Sequence, residues 1–438
     1  LAEKRVAVYT LGCKVNQYES ALLAGLFSER GYQVVDFEDT ADVYVINTCT
    51  VTHLGDRKSR QLIRRAVRAN PAAVVAVTGC YAQTSPGELT EIEGVDLVVG
   101  TRDRARLVEL VENTAKGRSP VNAVSDYKAG DEFEEIAAMP MQERVRAYLK
   151  VQDGCDNFCT YCIVPYARGP LRSRQPDKII AAAGKLVEAG FKEIVITGIQ
   201  TGAYGKDLDN KITLAGLMRR LSGIPGLLRL RLSSVEPHDI TLELVETLSA
   251  SPVFCRHLHV PLQSGDDQIL VRMGRRYTTF EYLRLVDVLR ENMPGLGLTT
   301  DVMVGFPGET GENFLNTCRM VQKVSFSGLH VFKFSPRRGT PAAAFEGRVD
   351  AKTMDARSRR LIQLGRKLSA RFASSHLGLE LDVLAEQTYK GGSNLYEGLT
   401  GDYTRVVFPG DDALKGRLVR VKAEKLRGVL LEGRIIAR

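Results

Sequence analysis

The chain has 438 residues, 44% hydrophobic and 26% charged, the balance of a soluble globular protein with about two to four domains. No apolar run approaches the ~18–20 residues that span a bilayer, and the first residues lead straight into a strand-like run. Neither a membrane segment nor a signal peptide is therefore expected, and a cytoplasmic location follows by default. The net charge of +8 is concentrated at one end: residues 348–438 carry 18 Lys and Arg against 11 Asp and Glu. Such an excess suggests a polyanion contact, with a merely solvated surface as the alternative.

Residues 1–115 alternate strands and helices. Strands are expected at 5–10, 43–47, 74–78 and 95–99. Helices are expected at 19–30, closed by Gly31, and at 54–69 and 104–115. This alternation predicts a doubly wound α/β domain. Residues 116–143 lack a period and read as a linker. Over 144–374 a second series places strands at 148–152, 193–197, 228–233, 257–262, 298–304 and 329–334. The helices between them include 178–189, 242–250, 280–291 and 312–324. Six such units fit a partial parallel (βα)6 barrel. A long basic helix is expected at 350–374. From 375 to 438, short β-type runs at 381–385, 395–400, 404–408, 418–421 and 429–435 are punctuated by Gly-Gly and Gly-Asp pairs. They predict a small antiparallel β-barrel of the oligonucleotide-binding kind.

Eight cysteines are present, and a reducing compartment makes a disulfide framework unlikely as their explanation. Cys155, Cys159 and Cys162 form a C-x3-C-x2-C set just past the first strand of the second series. Three thiolates at this spacing can hold three corners of a 4Fe–4S cubane and leave one iron open. A zinc site is the competing reading, but it normally closes with four ligands, and no fourth Cys or nearby His follows. Cys13, Cys49 and Cys80 each lie one to three residues beyond an expected strand. In a parallel sheet those ends share one edge, so the three thiols can converge on a second cluster. Cys255 and Cys318 obey neither rule and read as core residues.

On these motifs the chain resembles the methylthiotransferases of the radical S-adenosylmethionine (SAM) superfamily, over nearly its full length. The wording Gly12-Cys13-Lys14-Val15-Asn16-Gln17, Asn47-Thr48-Cys49-Thr50-Val51-Thr52 and Gly79-Cys80-Tyr81-Ala82-Gln83 is similar to the bacterial branch acting on N6-threonylcarbamoyladenosine. The terminal barrel is similar to a TRAM domain. The resemblance implies SAM at the cluster of Cys155, Cys159 and Cys162, and an auxiliary 4Fe–4S cluster on Cys13, Cys49 and Cys80. It further implies methylthiolation of carbon 2 of the modified adenosine at tRNA position 37, with SAM as methyl donor and radical source. An electron donor such as flavodoxin or ferredoxin, and a sulfur source, are implied as partners. SAM contacts are expected from Tyr161, Gln200, Glu236, Gln263, Ser264 and Asp301, although turn-forming roles compete at the strand ends. Gln200 stands where the family pattern has His.

An RNA contact is expected from Arg357, Arg360 and Lys367 on the long helix and from Arg417, Lys422 and Lys425 on the barrel. The anticodon stem-loop suits such a site, because a partly unpaired base costs less to extract from its stack. Tyr389, Tyr396 and Tyr403 are stacking candidates, with core packing the competing role. Three other readings stay open: isopentenyladenosine as substrate, a ribosomal protein aspartate as substrate, or a metal-structured RNA-binding module without catalysis. Anaerobic reconstitution should yield roughly eight irons per chain, and replacing Cys155, Cys159 and Cys162 with Ala should leave about four. Loss of all iron in that variant would contradict two independent sites.

Overall fold

Apolar residues alternate so densely in the early strands because both faces of their sheet are covered. The structure, a computed structural model, describes residues 3–128, 130–141, 145–209, 211–392 and 394–437. Residues 129, 142 and 143 of the expected linker, and 144 at the start of the expected barrel, lie outside the described residues. The chain forms two compact units: Leu1–Glu143 with Gln152–Arg174 and Ser335–Ala343, and Arg144–Val151 with Gln175–Phe334 and Ala344–Arg438.

In the first unit, six strands form one parallel sheet: β1 (Arg5–Thr10), β2 (Gln33–Val35), β3 (Val43–Thr48), β4 (Val74–Gly79), β5 (Leu97–Val98) and β6 (Val121–Asn122). Their order is β2-β1-β3-β4-β5-β6. Tyr44, Ile46, Val75 and Val77 pack one face against Ile63 and Ala66. Val6, Val43, Val45 and Ala76 pack the other against Leu23 and Phe27. Helix α1 (Lys14–Glu29) supplies Leu23 and Phe27, and α2 (His53–Ala69) supplies Ile63 and Ala66. Helix α1 starts five residues earlier than its apolar spacing indicates, because its first turns bury Asn16, Glu19 and Ser20. Strands β2 and β6 were not expected. Both are short, and the β6 residues are exposed, so neither carries an alternation signal.

The next strand, β7 (Arg146–Lys150), belongs to the second unit, while β8 (Gln152–Asp153) and β9 (Arg172–Ser173) pair antiparallel in the first. The second unit continues with β10 (Glu193–Thr197), β11 (Arg229–Leu232), β12 (His257–His259), β13 (Gly297–Val304) and β14 (Gly328–Lys333). Together with β7 these strands run parallel as two three-stranded sheets, joined by single bridges Leu230–Phe254 and Ser234–His259. This is the expected partial barrel. The last five strands are β15 (Glu380–Thr388), β16 (Leu395–Leu399), β17 (Arg405–Pro409), β18 (Leu418–Arg427) and β19 (Leu430–Ala437). They close a small barrel whose pairs are antiparallel except β17 with β19, which run parallel.

The small barrel packs on the parallel one through buried charge. Arg229 donates to the carbonyls of Leu399 and Asp382, and Arg231 to those of Thr400 and Gly401. Tyr403 stacks on His257 at 4.6 Å and lies under the Arg231 guanidinium at 4.8 Å. Glu193 balances this group, 2.7 Å from Arg231 and fully buried. Burial would push its carboxyl up, yet Arg231, Arg146 and Arg229 together hold it below the ordinary value. No helix among the described residues is long and apolar enough to cross a membrane. Glu193→Ala leaves two buried guanidiniums short of an anion and should cost about 3–5 kcal/mol in urea unfolding. A loss within experimental error would show that the floor of the barrel does not need the ion pair.

Candidate metal centres

The register of the first sheet brings three cysteines to one edge. Thr10 pairs with Asn47, Asn47 with Thr78, and Thr48 with Gly79, so β1, β3 and β4 end level. Cys13, Cys49 and Cys80 follow those ends directly, and Cys80 opens helix α3 (Cys80–Thr84). Gly79 takes φ +98°, and a Cβ there would lie 2.4 Å from Asn47 Oδ1, so only glycine permits this exit. Asn16 and Asn47 tie the edge together. Asn16 Nδ2 donates to the carbonyls of Leu11 and Thr48, and Asn47 Nδ2 donates to the carbonyl of Asn16 and to Ser20. Cys13 is exposed, Cys49 half-buried and Cys80 buried.

The loop of Cys155, Cys159 and Cys162 lies in the same unit. Gly154 takes φ +75°, where a Cβ would lie 1.8 Å from the Pro170 carbonyl. The Cys155 N–H donates to the Gly169 carbonyl, and the Cys162 N–H to the Cys159 carbonyl. Six residues on, Arg168 is fully buried. Its Nε lies 3.2 Å from Cys80 Sγ, and its other nitrogens donate to both Glu19 oxygens and to Asn16 Oδ1. Arg104, also buried, reaches Glu19 at 2.5 Å and Glu134 at 2.9 Å. Asp153 lies within 3.6 Å of Arg104, Arg168 and Arg172. None of these arginines was singled out from the sequence, where a lone Arg carries no signal of burial.

The donor set fits an iron–sulfur cluster. Burial, with Cys80 adding to it, pushes the Cys49 thiol up to about 12. Burial also raises Cys80, against the opposing pull of Arg168. Crowded, poorly solvated thiols become thiolates when metal supplies positive charge, and three of them leave one coordination corner open.

The first unit holds a cavity of about 710 Å³ lined in part by residues that follow the cysteines in sequence. Its lining includes His53 and Asp56 after Cys49, Tyr81 and Gln83 after Cys80, and Ile163 and Tyr166 after Cys162, together with Arg60, Arg337 and Arg338. Arg337 is buried, 2.7 Å from Asp56 Oδ2 and donating to Thr50 at 2.6 Å. Tyr81 accepts from Arg60 and donates to Glu88. Arg338 is exposed.

The expected SAM and RNA residues fall differently. Gln200 is buried at the end of β10, and Gln263 takes φ +60° beside the bridge to Val302. Tyr161 lies half-buried in the cysteine loop. Glu236 is ion-paired with Arg275, Ser264 is buried against Thr317, and Asp301 lies 3.3 Å from both His259 and His330. Burial would raise the Asp301 carboxyl, but the two histidines hold it well below the usual range. Arg357 is turned inward, 2.5 Å from Glu309. Arg360, Lys367, Arg417 and Lys425 are exposed and Lys422 half-exposed. Tyr396 is fully buried and Tyr403 is part of the barrel floor, while Cys255 and Cys318 are core residues. In metal-free chain, iodoacetamide should modify exposed Cys13 ahead of Cys49 near pH 8. The Cys49 rate should climb about tenfold per pH unit as thiolate accumulates. Equal rates at the lower pH would contradict the burial of Cys49.

Two family models match this chain: uncharacterized protein family UPF0004 over residues 5–100, and the radical SAM superfamily over residues 149–321. The threonylcarbamoyladenosine tRNA methylthiotransferase MtaB of Bacillus subtilis is 46% identical, across 98% of this chain and 96% of its own. The protein of the same name from Thermotoga maritima is 38% identical, across 99% and 100%. The tRNA-2-methylthio-N(6)-dimethylallyladenosine synthase of Moorella thermoacetica is 37% identical, across 99% of each chain. A solved radical SAM methyltransferase, TsrM from Kitasatospora setae, is similar in fold, with a TM-score of 0.56 at 18% identity, across 78% of this chain and 77% of that one. Full-length identity at this level, with all six cysteines placed as two triads, means that the chain belongs to the radical SAM methylthiotransferase family.

Proposed function

We propose that this chain transfers a methylthio group to carbon 2 of N6-threonylcarbamoyladenosine at position 37 of tRNA. The observation that carries this reading is the cavity whose lining follows directly on Cys49, Cys80 and Cys162. A base held there would meet residues that neighbour Cys49, Cys80 and Cys162 in sequence, and about 710 Å³ is within the usual range for a ligand pocket. Cys155, Cys159 and Cys162 would hold the SAM cluster, and Cys13, Cys49 and Cys80 the auxiliary one. Bound there, the two clusters and SAM supply the radical, the methyl group and a place for sulfur, while the protein orients the base and excludes water.

The lining also bears on which base is used. A threonylcarbamoyl tail ends in a carboxylate, whereas the dimethylallyl tail in the name of the Moorella relative is apolar. Arg338 is exposed at the cavity and makes no ion pair or hydrogen bond among the described residues. It is placed to meet that carboxylate, with Arg60 and His53 beside it. Tyr166 and Phe158 are exposed and 5.9 Å apart, edge to face, offering a surface on which a flipped base can stack.

Other contacts complete the reading. At the strand ends of the parallel barrel, Gln200, Glu236 and Gln263 are assigned to SAM. Exposed Arg360, Lys367, Arg417 and Lys425 are assigned to RNA phosphates, with Lys422 at the margin of that surface. An electron donor such as flavodoxin or ferredoxin and a sulfur source are required partners. In a strain lacking its own enzyme of this kind, the chain should restore 2-methylthio-threonylcarbamoyladenosine, seen by mass spectrometry of tRNA nucleosides. Arg338→Ala should lower kcat/KM on that tRNA by about 10–100-fold, the worth of a charged hydrogen bond. Absence of the product with wild-type chain would overturn the substrate assignment. An unchanged kcat/KM would remove Arg338 from it.

A further inference from the structure

Three side chains meet in the second unit, among them Asp301, which is also one of the residues expected at SAM. His330 on β14 is paired in register with Asp301 on β13, and His259 on β12 with Thr299, two residues before Asp301 on the same face. Side chains two apart on a strand point to one side, so all three converge. His259 Nε2 and His330 Nδ1 each lie 3.3 Å from the same oxygen, Asp301 Oδ1. The three donor atoms lie within 4.8 Å of one another.

Those distances are informative. A charge-assisted N–H···O bond is usually about 2.7–2.9 Å, and a carboxylate with two imidazolium partners would commonly take one on each oxygen. A tetrahedral cation with bonds of about 2.0–2.1 Å holds its ligands about 3.3–3.4 Å apart. Both nitrogen–oxygen edges here match the second figure. The Thr299 hydroxyl lies 3.0 Å from both His259 Nδ1 and His257 Nε2, so it can fix the tautomer of His259. When Nδ1–H donates to that oxygen, the lone pair of Nε2 faces Asp301, where only a proton or a cation can separate it from the carboxylate.

We infer that His259, Asp301 and His330 bind a divalent cation of the zinc class. Two imidazoles and one carboxylate are a ligand set suited to zinc and iron(II). Asp301 is 27% exposed and His330 63%, so water can reach the coordination positions that the protein does not fill. This cation is additional to the irons of the cysteine triads, and its binding does not depend on the substrate.

The test uses the full chain with both clusters reconstituted, so that the cysteines are occupied. It is equilibrated with zinc, desalted, and analysed for zinc and iron by elemental mass spectrometry, beside His330→Ala and Asp301→Asn. The wild type should hold about one zinc more per chain than either variant at equal iron content. Equal iron shows that the clusters and fold survive. If Asp301→Asn loses iron, His330→Ala decides alone, because its ring is mostly exposed. Zinc retained at the wild-type level in His330→Ala, or none in the wild type, would overturn the inference.

Discussion

A guanidinium buried without acceptors is costly, and Arg168 is buried completely. Its acceptors are Cys80, which follows β4 at the edge of the first sheet, and Asn16 and Glu19 in the first turns of α1, which starts at that edge. Arg168 itself is six residues past the C-x3-C-x2-C loop. One side chain therefore joins the loop segment to the sheet edge, and it does so at the sulfur of a proposed cluster ligand. Arg104 shares Glu19, and Asp153 neighbours both arginines, so the charges close into a network with no isolated member. The level strand ends supply the other half of the constraint. Without the common register of β1, β3 and β4, Cys13, Cys49 and Cys80 would have no reason to share an edge.

The second unit solves a different problem with similar means. A partial barrel of parallel strands needs its interior filled, and here polar groups fill much of it. Arg229 and Arg231 are satisfied by carbonyls of the small barrel, by Tyr403 and by Glu193, whose carboxylate accepts from Arg231. The two barrels are thus joined through hydrogen bonds that each depends on for burying its own charges. On the outside of the small barrel, exposed Arg405, Arg420, Arg427 and Arg434 pair with carboxylates, whereas exposed Arg417 and Lys425 make no ion pair among the described residues.

How much of this could be read beforehand depended on whether a signal was local. Strand runs and their punctuation are local, and the α/β first unit, the partial barrel of six strands and the terminal barrel followed from them. The beginning of α1 was missed because Asn16, Glu19 and Ser20 are buried for the sake of the site, which breaks the apolar period. Strands β2 and β6 were missed because two or three residues cannot show an alternation. The long helix reads as uniformly basic, yet Arg357 turns inward to Glu309, a choice made by tertiary packing. Likewise Tyr403 looks like any loop tyrosine until His257 and Arg231 are placed around it. Long-range charge partners such as Glu19 with Arg168 leave no trace in spacing at all.

Anomalous diffraction at the iron edge from an anaerobic crystal of the reconstituted chain addresses the central claim most directly. The account predicts two separate iron peaks, one bounded by Cys155, Cys159 and Cys162 and the other by Cys13, Cys49 and Cys80 with Arg168 against the Cys80 sulfur. A single peak at the loop, with the thiols of the sheet edge bound to nothing, would contradict it.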